Sequence, residues 1–194
     1  NRRRFFAAAG LPSRPVWLEQ VHGVNVLRLT GGEYASKRAD ASYSDIPGQV
    51  CAVMTADCLP VLFCNLAGTE VAAAHAGWRG LCAGVLEETV ACFRDRPDNI
   101  LAWLGPAIGP QAFEVGPEVR DAFMARDVAA DSAFRPVGEK YYTDIYQLAR
   151  QRLARLGITR VYGGDRCTLS EKGDFFSYRR DRTTGRMASF IWLR

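Results

Sequence analysis

A chain of 194 residues, 48% hydrophobic and 24% charged, can bury one sizeable core, since a domain of this size hides roughly 70% of its unfolded surface. Its 25 basic and 21 acidic residues leave a net charge of +4, and apart from Arg2–Arg4 and Arg179–Arg182 the basic ones are scattered. That argues against a nucleic-acid footprint and for a pocket that takes a phosphate or carboxylate. No apolar run approaches the roughly 18 residues of a membrane span and no signal peptide is visible, so no membrane partner is expected; no obligate protein partner is evident in the sequence.

Taken in order, residues 1–10 read as the second half of a helix ending at the glycine C-cap Gly10, with neither initiator Met nor N-cap, so an N-terminal segment is expected to be missing. A turn follows at Leu11–Pro15, then strands Val16–Val21 and Val24–Leu29 around the His22-Gly23 corner. Residues 30–48 are polar and form a loop whose length marks it as functional, with Ala39-Asp40-Ala41-Ser42 its most regular part. Strands are expected at Val50–Thr55, Leu59–Cys64 and Val71–His75, with a hairpin turn at Asn65–Thr69. Leu81–Phe93 has the period and length of a helix, Ile100–Leu104 that of a strand, and Gly105–Pro110 makes a rigid loop.

Pro117–Arg126 carries proline in its first turn, and Tyr142–Leu156 has an apolar stripe stopped by Gly157, so both read as helices. Val161-Tyr162, Phe175–Tyr178 and Met187–Leu193 read as strands, the last two joined through Thr183-Thr184-Gly185. Short turns between strands favour a mixed sheet, or two sheets with helices outside, in a single α/β (mixed α+β) domain spanning 1–194.

The groups able to do chemistry are few. Both histidines precede or follow glycine-bounded corners: His22 before Gly23, and His75 in Ala74-His75-Ala76-Gly77-Trp78-Arg79-Gly80, a strand-to-helix turn. Of six cysteines (51, 58, 64, 82, 92 and 167) most lie in apolar runs, and no Cys-x-x-Cys pair occurs; the pattern fits a reducing, cytoplasmic setting. Cys58 differs, standing beside Asp57 and before Pro60 at a break between strands. Two histidines and one cysteine suit catalytic zinc with an open fourth position. Their separations carry no local signature, and a Cys58–His75 nucleophile pair or a plain core thiol are the rival readings.

Six ordered blocks then carry a resemblance: Trp17–Gly23, Thr55–Pro60, His75–Gly80, Gly105–Gly109, Phe113–Gly116 and Phe175–Asp181. Together they are similar to the bacterial multicopper polyphenol oxidoreductase (laccase-like) family, whose members are also described as purine nucleoside phosphorylase/adenosine deaminase enzymes and as peptidoglycan editing factors. The resemblance implies a four-layer α/β/β/α sandwich with mixed sheets. It also implies a zinc ion (Zn2+) bound by His22, Cys58 and His75, and small-molecule nucleoside and phosphate partners. The resemblance also implies an N-terminal segment near the active site, which is expected to be missing from this chain. Copper is disfavoured as the main cofactor, because a multicopper oxidase needs many histidines and this chain has two.

The expected reaction is therefore zinc-dependent phosphorolysis of adenosine, inosine and related nucleosides, with adenosine deamination. A cysteine hydrolase acting on peptidoglycan precursors, a polyphenol oxidase and a zinc-stabilised binding protein are the alternatives. Arg79, beside a ligand, is the first choice for holding phosphate. Arg179 and Arg180 are second choices for the substrate, and Trp78 is a surface on which a purine could stack. Asp57 is a candidate to orient a ligand histidine or to act as acid/base. Glu114, between Phe113 and Val115, is a second candidate acid/base.

Overall fold

The computed structural model describes residues 6 and 8–194. Most of the helix expected over 1–10 lies outside them; its proposed cap, Gly10, has φ +59°. Six strands form the central sheet: β1 Val26–Arg28, β2 Ala41–Ser44, β4 Leu59–Asn65, β5 Val71–Ala76, β6 Ile100–Leu104 and β10 Arg160–Gly163. Their spatial order is β1-β2-β5-β4-β6-β10, with the two outer pairings parallel and the inner ones antiparallel. A second sheet pairs β3 Cys51–Thr55 antiparallel with β11 Met187–Ile191. A third contains β7 Glu114–Val115, β8 Phe134–Val137 and β9 Lys140–Thr143.

Side-chain alternation along the central strands makes two cores. Leu59, Val61 and Phe63 of β4 and Ala72, Ala74 and Ala76 of β5 turn toward the helices. These are α1 Trp78–Ala83, α2 Val85–Val90, α3 Pro117–Met124 and α4 Ile145–Arg155. Val71 and Ala73 of β5 turn the other way and pack with Cys51 and Val53 of β3. The helices thus pack on one face of the six-stranded sheet and the β3 layer on the other. Fully buried side chains such as Phe63, Leu86 and Leu148 each contribute about 1.5–3 kcal/mol through apolar burial. Among the described residues no helix is long and apolar enough to cross a membrane.

Several expected elements change shape. Val16–Val21 makes only an isolated bridge, Glu19 to Arg38, because its apolar residues pack against side chains of the small sheet's layer rather than into a ladder. The loop expected over 30–48 contains β2, Ala-Ser-Tyr-Ser, which lies fully buried between β1 and β5. The helix expected over Leu81–Phe93 is two short helices, since Gly84 takes φ +115° and breaks the ladder. Tyr142 and Thr143 belong to β9; helix α4 starts only after Asp144, whose carboxylate accepts from Gln147 N at 2.9 Å as an N-cap. Phe175–Tyr178 is not a strand: it leads into α5, Tyr178–Asp181, and β11 pairs with β3 instead.

Candidate metal centre

The site follows from strand register. In the β2–β5 pairing Ala41 faces Ala74, which sets Asp40 across from His75; in the β4–β5 pairing Leu59 faces Ala76, which brings Cys58 beside Gly77. Residues 58, 71, 73 and 75 thus share the face turned away from the helices. His22 comes from the loop before β1, two strands away. The ligand atoms of His22, Cys58 and His75 all lie within 4.8 Å of one another, and Cys58 Sγ is 3.8 Å from His22 Nε2.

Asp40 assembles them. Its carboxylate accepts from the backbone N–H groups of Val21 (3.2 Å), His22 (2.8 Å) and Gly23 (2.7 Å), and lies 2.9 Å from His75 Nδ1. One buried carboxylate therefore folds the His22 loop onto the sheet and holds a proton of His75 on Nδ1, which makes Nε2 the nitrogen that can bind once it is deprotonated. Burial alone would raise the Asp40 carboxyl; the His75 hydrogen bond and the three backbone donors overcome this and lower it. Burial likewise pushes the Cys58 thiol up, but the two imidazoles bring it down to about 6. Burial opposes a charged His75, whereas Asp40 and Cys58 raise it to about 9.

Backbone strain and missing side chains make the rest of the room. His22 has φ +62° and Asp57 φ +90°, left-handed conformations that non-glycine residues rarely adopt outside functional sites. A Cβ on Gly77 would lie 2.8 Å from His22 Cδ2 and 3.0 Å from Cys58 Sγ, and one on Gly80 would lie 2.9 Å from the Gly23 carbonyl. These two glycines let α1 start directly behind the ligands.

A cavity of about 410 Å³ opens on the triad, lined also by Gln20, Met54, Thr55, Tyr178 and Arg186. A second, of about 140 Å³, shares Ala56, Cys58 and Tyr178 with it and is walled by Trp78, Ile108, Phe113 and Arg179. Of the residues singled out in the sequence for roles beside the triad, Asp57, Trp78 and Arg179 thus reach this second cavity. Arg179 also donates to the Glu114 carbonyl at 2.9 Å. Arg79 is exposed and stacks on Trp78, its guanidinium carbon 4.5 Å from the ring centroid; it lines neither cavity.

Asp57 has both oxygens engaged, accepting from Thr168 Oγ1 and Arg179 N at 2.7 Å each, so it ties the C-terminal segment to the site. The apolar setting expected for Glu114 is absent: Lys140 Nζ sits 2.7 Å from its carboxylate, and both side chains are well exposed. Arg180 gives its guanidinium to the carbonyls of Thr168, Leu169 and Phe175 and to Asp181. Asp40, Tyr178 and Arg186 escaped the sequence reading. The alternation of Ala39-Asp40-Ala41-Ser42 was the one available sign of a buried strand bearing a carboxylate.

A family model described as multi-copper polyphenol oxidoreductase laccase matches residues 1–194. The chain belongs to that family. This laccase-family chain is 77% identical over 193 residues to the purine nucleoside phosphorylase YfiH of Escherichia coli, covering all of itself and 79% of that protein. It is 55% identical to a purine nucleoside phosphorylase of Haemophilus influenzae, covering 80% of it. Among solved structures, a Neisseria meningitidis protein superposes with a TM-score of 0.92 at 51% identity, over 99% of this chain and 79% of that one. YlmD of Geobacillus stearothermophilus does so with 0.88 at 32% identity, over 100% and 78%. The family's mixed α+β fold is therefore this chain's fold.

Proposed function

We propose that the chain is a zinc-dependent purine nucleoside phosphorylase acting on inosine, adenosine and related nucleosides, with adenosine deamination as a second reaction. The observation that carries the reading is the convergence of His22, Cys58 and His75 at the wall of a 410 Å³ cavity, in a chain whose relatives bear the phosphorylase name. The donor set fits the metal: two imidazoles and one thiol are the ligands of catalytic zinc with a position left open, and Asp40 is the carboxylate partner such histidines take. Zinc held there would supply Lewis-acid chemistry.

In phosphorolysis a phosphate oxygen attacks C1′ of the ribose. The C1′–N9 bond breaks with its electron pair on the purine, and the phosphate's proton ends on the departing base. Residues of this chain orient that exchange. Trp78 and Phe113 offer aromatic walls for the base, with Arg179 at the rim and Tyr178 shared between the two cavities. Asp57 positions Arg179 and Thr168 through its two oxygens and itself lines the smaller cavity. Arg180 braces the same segment through backbone carbonyls.

Phosphate-dependent release of hypoxanthine from inosine tests the reading directly. Activity should vanish with a chelator and return with zinc, and adenosine should release ammonia. Hypoxanthine release without phosphate, or none with zinc present, overturns it.

A second reading has one observation in its favour. Met54 lines the same cavity, and two histidines, a cysteine and a nearby methionine are also the donors of blue-copper centres. An intense visible absorption on copper loading, with phenol oxidation, would favour it. A thiolate hydrolase working on peptidoglycan precursors would instead survive chelation and be killed by iodoacetamide.

A further inference from the structure

Arg186 lines the large cavity that opens on the triad. Among the described residues it is the one lysine or arginine lining that cavity, and no aspartate or glutamate lines it. Strand register puts it there: Met187, the first residue of β11, pairs with Thr55, so Arg186 stands just past the end of β3, at the level where the chain turns through Ala56 and Asp57 to Cys58. Its Nη1 donates to the Thr184 and Gly185 carbonyls at 3.2 and 3.0 Å, which curls the side chain back on its own loop. Among the described residues no carboxylate pairs with it, whereas Arg28, Arg94, Arg152, Arg155, Arg166 and Arg180 are all so paired.

The loop that carries it is braced on both sides. Asp57 accepts from Arg179 N, the Arg180 guanidinium caps three carbonyls, and the Phe176 ring packs so closely on Gly185 that a Cβ there would lie 2.8 Å from it. Arg186 is exposed, and a guanidinium held through Nη1 alone leaves Nε and Nη2 to offer a fork to a tetrahedral oxyanion.

We propose that Arg186, rather than Arg79, binds the phosphate co-substrate. The inference deepens the phosphorylase reading and rests on it for the identity of the anion. Steady-state phosphorolysis of inosine by the zinc-loaded protein tests it. Arg186→Gln should raise KM for phosphate about 10- to 100-fold, with KM for inosine changed less than about twofold. Arg186→Lys should recover part of the loss, and metal content and Tm should match the parent. An unchanged phosphate KM in Arg186→Gln, an equal rise in both KM values, or a rise confined to Arg79→Ala overturns the proposal.

Calorimetric titration with inorganic phosphate alone separates the two levels. If the parent protein shows no phosphate-dependent turnover, the phosphorylase reading falls. Arg186 still stands as an anion site if the parent binds phosphate and Arg186→Gln does not, and falls if both bind equally or neither binds.

Discussion

Asp40 is the residue on which the centre depends, because it does three jobs with two oxygens: it pins a loop, fixes a tautomer and offsets the charge of an imidazole. Replacing it with Asn keeps the volume but removes the charge and one acceptor. Asp40→Asn should weaken zinc retention about 10- to 100-fold, read by competition with a chromogenic chelator, while the far-UV spectrum stays native. The titration of His75 gives a second outcome at this scale. In the metal-free protein its folded pKa is raised to about 9, so at neutral pH the ring is protonated and must lose that proton to bind. Zinc affinity should therefore rise with pH until about 9 and then level off. Proton release on metal addition in weak buffer measures it, and a flat response would refute it.

Between elements, the turn from β5 into α1 sets how closely the helix layer approaches the ligands. Gly77 caps α1 with ordinary extended backbone, so its need for glycine is steric: there is no room for a methyl group between His22 and Cys58. Gly77→Ala should lower metal content and turnover together without unfolding the protein, as size-exclusion elution and metal analysis will show. The cap of α4 offers a contrast remote from chemistry. Asp144→Ala removes one side-chain acceptor and should cost about 1 kcal/mol, or roughly 2–4 °C in Tm, with kinetics unchanged.

For the whole molecule, the site is a junction of segments distant in the chain. His22 comes from a loop, Cys58 from the turn just before β4, His75 from β5, and Thr168 and Arg179 are tied to Asp57 across 111 and 122 residues. A bound ion should thus act as a cross-link on the native state only, and chelation should lower Tm in proportion to the logarithm of free zinc. Breaking the Asp57 tie should do something different. Asp57→Ala should speed amide exchange across residues 168–186 more than elsewhere, because that segment joins the sheet through few other long-range bonds.

The residues themselves announced a soluble-type composition, one mixed α+β domain, strands at β3 to β6, and the unusual placing of His22, Cys58 and His75. Those features are local: apolar runs, turn glycines and a break beside proline are visible within a window of a few residues. What the tertiary structure alone decided is who meets whom. Antiparallel register set Asp40 opposite His75, pairing of β11 with β3 carried Arg186 to the cavity, and Arg79, on α1, lies outside it. Register and strand order depend on contacts across dozens of residues, where a shift of one position turns every side chain to the opposite face, and no local pattern records that choice.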